Sequence, residues 1–129
     1  MFTVSDIENA HKKVKSGADF PKYIQEIKQF GVTSFETSVV DSHTKYFGNN
    51  DYSTTSNPKY EPLEISEKSD KAQFIRYLKS HQKGETNYFV FCQHCAETGI
   101  NKWIVRLDDM TCTYYDISDN SILLENIPS

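Results

Sequence analysis

Residues 20–48 laid over residues 88–116, a constant offset of 68, place like side chains on like. Phe20 meets Tyr88, Tyr23 meets Phe91, Ile24 meets Cys92 and Ile27 meets Cys95. Gly31 then falls on Gly99, Phe35 on Trp103, Val39 on Leu107, and Tyr46-Phe47 on Tyr114-Tyr115. A repeat at fixed spacing restricts architecture more tightly than composition does, because each copy is one supersecondary unit whose apolar face needs a neighbour. The pairs Gln25/Gln93, Gly31/Gly99, Asp41/Asp109 and Tyr46/Tyr114 are identities. Beyond them it is the order of events that repeats: amphipathic helix, stopping glycine, alternating strand, turn, aromatic strand. The expectation is one α+β domain over residues 1–129. It has two related α-α-β-β-β halves, about 1–66 and 67–129, with helices covering an antiparallel sheet.

Local signals divide the chain accordingly. Thr3 with Asp6, or Ser5 with Glu8, has capping-box spacing, and Ile7, His11 and Val14 continue one helical stripe until Ser16-Gly17. Asp19 reads as the next N-cap, Pro21 is tolerated in the first turn, and Gly31 stands where a left-handed C-terminal residue belongs. Val32–Val40 and His43–Phe47 alternate as strands, with a turn at Gly48-Asn49-Asn50-Asp51. Tyr52–Tyr60 reads as a ragged edge strand or loop, and Glu61–Ser66 as a further short strand. Helices opening at Ser69 or Asp70 and at Thr86 or Asn87 stop at Gly84 and Gly99. Strands at 101–108, 111–116 and 121–126 finish the chain.

The formal charge is −4, with only two arginines. That balance excludes the cationic footprint of a general nucleic-acid binder, so the paired aromatics Tyr46-Phe47 and Tyr114-Tyr115 read as cross-strand packing rather than base-stacking platforms. No apolar run approaches the length of a membrane span, and Met1–Val14 lacks a signal-peptide core. With three cysteines, an odd number, reduced thiols and a cytoplasmic location are expected.

Cys92-Gln93-His94-Cys95 has the spacing of half a zinc knuckle or of a thiol–disulfide site. A structural zinc needs four ligands, and Cys112 with His81 or His43 supplies the rest only from scattered positions. A redox pair belongs at a helix N-terminus, whereas this one falls inside a helix. The repeat sets both thiols on isoleucines, so they read as core, and no metal or cofactor is implied. A cysteine-hydrolase arrangement would use Cys92 as nucleophile, His81 or His43 as base and Asp41 or Asn87 as orienter. A mid-helix nucleophile would lack oxyanion donors.

His11 and His81 each prolong an apolar stripe near the end of the first helix of their half. Either they pack and cap, or they form a pair of ligand-facing imidazoles related by the pseudo-twofold. His43 opens a strand as a surface residue, and His94 falls on the polar side of its helix, in solvent.

Several blocks carry a family resemblance. The run from His11 to Pro21, Gly31-Val32-Thr33-Ser34, His81-Gln82-Lys83-Gly84 and Phe91-Cys92 belong to it. So do Gly99 to Trp103, Thr111 to Asp116 and Glu125-Asn126-Ile127-Pro128. Over essentially its whole length the chain resembles the bacterial domain-of-unknown-function family 1398. The resemblance implies a small bacterial protein, sometimes prophage-associated, some relatives of which bear the label phage envelope protein. It supplies no catalytic residues or cofactor.

These readings converge on a binding or interaction module for a small molecule or peptide. Its groove, between the halves, would be lined by His11, His81, Trp103 and Tyr114, with His43 as a further candidate. The alternatives are a thiol-dependent enzyme centred on Cys92 with His81, and a prophage structural component.

Overall fold

A computed structural model describes residues 2–15 and 17–128. Among them the protein is α+β, with four α-helices and six strands in one antiparallel sheet. Helix α1 (Val4–His11) starts in a complete capping box between Thr3 and Asp6. It stops at His11, so Val14 lies beyond it; Ser16, expected at its end with Gly17, is outside the described residues. A 3₁₀ turn, Gly17–Asp19, leads into α2 (Phe20–Gln29). Asp19 occupies the N-cap position, but its carboxylate accepts from the Lys15 N–H (3.0 Å) instead of capping α2.

Strands β1 (Val32–Ser38), β2 (Thr44–Gly48) and β3 (Ser53–Thr55) complete the first half. Helices α3 (Lys71–Gln82) and α4 (Tyr88–Glu97) follow, then β4 (Lys102–Arg106), β5 (Thr111–Tyr115) and β6 (Ser121–Asn126). The caps of α3 and α4 are those expected: the side chains of Asp70 and Asn87 accept from the Gln73 and Val90 N–H groups. β1, β4 and β5 fall one or two residues short of the expected spans at one end or both, β2 is displaced by one residue, and β6 coincides with its expected span. Glu61–Ser66 is not a strand. Pro58 and Pro62 lack the N–H groups a ladder needs, and the Lys59, Leu63 and Ser66 amides instead bond singly to the carbonyls of Asp41, Val40 and Ala96.

The sheet order is β3-β2-β1-β4-β5-β6. Phe35 pairs with Tyr46 in the first hairpin, and Trp103 with Tyr114 in the second, both pairs separated by the same offset of 68. At the centre Phe35 faces Val105, Thr37 faces Trp103, and Glu36 faces Ile104 between them. The Val39 N–H donates to Asn101 O (2.9 Å), and the Leu107 N–H donates to Thr33 O (3.0 Å), a reciprocal pair. Left-handed backbone recurs at the same offset: Gly31 and Gly99, Ser42 and Met110, Asp51 and Asp119.

One sheet face is covered. Phe35, Thr37, Tyr46, Trp103, Val105, Cys112 and Tyr114 point into the layer shared with the helices, meeting Ile7, Ile24, Ile27, Phe74, Phe91 and Cys95. Burying apolar side chains of this size is worth about 1.5–3 kcal/mol each, and the resulting layer fixes both register and helix placement. The other face carries Glu36, Ser38, Lys45 and Lys102.

Candidate functional site

A cavity of about 650 Å³ opens between the helices and the second half of the sheet. Trp103 on β4 and Tyr114 on β5 line its floor, because strand alternation turns both toward the helices. Tyr88 and Phe91, one turn apart on α4, form a wall. Tyr88 packs edge-on to Trp103 (6.3 Å between centroids, 84°), while Phe91 and Tyr114 lie 5.9 and 6.2 Å from the same indole at 48° and 56°. Tyr88 also ties the cavity to the β1–β2 turn, its hydroxyl 2.6 Å from Ser42 Oγ.

Both stripe histidines reach this cavity. His11, at the exposed end of α1, packs edge-on against Tyr23 (5.1 Å) and Tyr88 (6.3 Å). His81, on the last turn of α3, stacks on Phe91 (4.4 Å, 11°). Tyr23 and Phe91 stand 68 residues apart, each on the helix that follows its histidine, and each meets that imidazole. Burial lowers the pKa of both histidines. Lys59 lowers that of His11 further and Glu8 opposes it; at His81 the Thr86 contact opposes the shift and His94 adds to it. His81 Nδ1 lies 3.2 Å from both Thr86 O and Thr86 Oγ1. A carbonyl oxygen only accepts, so Nδ1 carries the proton in that bond and Nε2 keeps its lone pair.

His11, His81, Trp103 and Tyr114 thus line one space. His43 does not join them. It borders a separate polar hollow of about 340 Å³ on the uncovered sheet face, with Glu36, Ser38, Lys45 and Lys102. Its Nδ1 lies 2.6 Å from Asp41 Oδ1. Slight burial raises the Asp41 pKa, but the His43 backbone N–H and imidazole outweigh it and hold the carboxyl below its usual range.

Cys92 is fully buried and lies outside the cavity lining, as does Cys95. Burial raises the Cys92 pKa, and the hydroxyls of Tyr60 and Tyr88 only partly offset it. Cys95 is pushed well up by burial. His81 is engaged by Phe91 and Thr86, while the Cys92 thiol faces the two tyrosines. Among the described residues no group of three or more His, Cys, Asp or Glu side chains stands close enough to hold a metal ion. No helix there is long and apolar enough to cross a membrane.

His94 departs from expectation. It is partly buried and stacked on Tyr77 (3.7 Å, 9°), because α3 and α4 pack side by side, and its Nδ1 is buried without a hydrogen-bond partner among the described residues. Sequence reasoning also missed Glu125. It pairs with Cys112 across β5–β6, which puts its carboxylate on the helix side and into the cavity lining. A charged residue in the inward register of a strand was the available signal. Gln82, on α3, donates to both Glu125 carboxylate oxygens (3.2 and 3.3 Å).

No curated protein matches the chain. The model of one family, described as protein of unknown function (DUF1398), matches residues 8–126, and the chain belongs to that family.

Proposed function

We propose that the protein is a small-molecule binding module of the bacterial cytoplasm, acting as a single unit whose site is the aromatic-floored cavity. The observation that carries this reading is convergence: His11 from the first half and His81, Trp103 and Tyr114 from the second line one space. Its volume of about 650 Å³ falls in the range of roughly 300–1,000 Å³ usual for ligand sites. Mixed aromatic walls with a few polar groups are the common composition of such sites. The free thiols favour a reducing compartment. The shared offset in register and left-handed positions favours descent of the halves from one duplicated unit.

The lone Trp103 reports on the site directly. A metabolite panel screened by indole emission, followed by thermal unfolding, is expected to yield compounds that change both. At a ligand concentration of 100 times Kd, stabilisation reaches about 2.7 kcal/mol. Compounds that bind are expected to lose affinity in Tyr114→Ala. A panel that leaves both the emission and the melting temperature untouched rejects the reading.

A further inference from the structure

We infer that the cavity is built for an organic ammonium compound: a flat apolar body carrying a protonated amine that meets Glu125. This rests on the reading of the cavity as a ligand site and names the class of ligand. Among the described residues lining the cavity, two carry formal charge, Lys15 and Glu125. Their settings differ. Lys15 lies beyond the end of α1 and is exposed, where water and salt screen a charge. Glu125 is partly buried, turned inward by its pairing with Cys112, and fixed by the Gln82 amide.

The neighbouring groups complement a donor-rich cation. Tyr88, Phe91 and Tyr114 pack around Trp103 at 84°, 48° and 56° to its plane, and all four rings belong to the cavity lining. Aromatic faces attract organic cations, most strongly where water is excluded. An ammonium has three N–H donors and no acceptor. The Glu125 carboxylate and the His81 Nε2 lone pair are acceptors within the same lining. The negative charge of Glu125 reaches the floor: after burial, it is among the causes that raise the pKa values of Cys112 and Tyr114. A carboxylate ligand would have to leave water beside that charge. The cavity is far larger than an ammonium group alone, so the remaining volume takes the apolar body.

The test is calorimetric titration of the full chain with three probes of one shape: 2-phenylethylamine, 2-phenylethanol and 3-phenylpropionate. The amine is expected to bind at least about tenfold more tightly than either other probe, the scale of one hydrogen bond to a charged group. Glu125→Gln, which keeps side-chain size, is expected to abolish that preference by weakening the amine more than the alcohol. Lys45→Gln, on the uncovered sheet face and outside the cavity lining, is expected to leave amine affinity intact. Equal or tighter binding of the alcohol or acid, or a preference that survives Glu125→Gln, overturns the inference and leaves the ligand-site reading standing. Failure of all three probes at millimolar concentration overturns the inference, while the metabolite screen still decides the ligand-site reading.

Discussion

Alanine at Gly31 and at Gly99 separates backbone strain from steric collision, because the two glycines hold equivalent places and differ in their surroundings. Both adopt positive φ, +106° at Gly31 and +84° at Gly99, ahead of the first strand of each half. A Cβ in left-handed backbone costs about 1–2 kcal/mol whatever the space around it. At Gly31 the added methyl meets, among the described residues, only Phe2 Cδ2, at 3.8 Å, an ordinary contact. At Gly99 it would stand 2.7 Å from the Lys68 carbonyl oxygen and 2.8 Å from Ser69 Cα. Those atoms are backbone at the entry to α3 and cannot rotate away, so the segment must shift; forced repacking of this kind adds about 1–3 kcal/mol. Gly31→Ala is therefore expected to lose about 1–2 kcal/mol and Gly99→Ala about 2–5 kcal/mol. Urea unfolding followed by far-ultraviolet circular dichroism reads the difference as a lower midpoint at unchanged slope. Equal losses, or a larger loss at Gly31, would refute the claim that the α3 entry lies hard against Gly99.

Two further outcomes follow from burial. All three cysteines are buried, and burial pushes Cys112 up to about 12, so alkylation by iodoacetamide at neutral pH is expected to be slow until denaturant is added; rapid labelling of Cys92 in the folded protein would revive thiol chemistry. His11 and His81 have folded pKa values below the usual 6.5, so the unfolded chain binds protons first as pH falls. Their contribution to stability is complete above pH 6.5 and is lost on acidification toward the folded values; urea midpoints between pH 7.5 and 5 should fall less in a His11→Gln/His81→Gln variant than in the parent, and an equal fall would contradict it.

Much of this was legible in the chain because it is local. The Asp70 and Asn87 caps, the glycine stops and the alternation of Trp103 with Val105 depend on residues within a few positions of one another. The cavity was legible in part: stripe histidines and strand aromatics mark which faces turn inward. What escaped depends on partners distant in sequence. His94 lies on the polar side of α4 considered alone and becomes buried only because Tyr77 of α3 covers it. Glu125 acquires its inward direction from its pairing with Cys112 across β5–β6, and its place in the lining from Gln82 of α3, a partner 43 residues away. The Asp41–His43 pair sits two residues apart, yet its place on the uncovered face depends on how β1 and β2 meet β4.

The central pairing of β1 with β4 makes each of them an inner strand only by virtue of the other. Severing the chain near residue 66 would strip both of that neighbour and leave two fragments, each with a raw hydrogen-bonding margin. Because the missing neighbour runs antiparallel and is centred on Glu36 opposite Ile104, a second copy of the later fragment offers a margin of the same direction and spacing, with Ile104 opposite Ile104, whereas two copies of the earlier one would set Glu36 against Glu36. A liberated later half therefore carries the template for its own homodimer, while in the intact chain the covalent link holds the earlier half's margin beside it at high effective concentration.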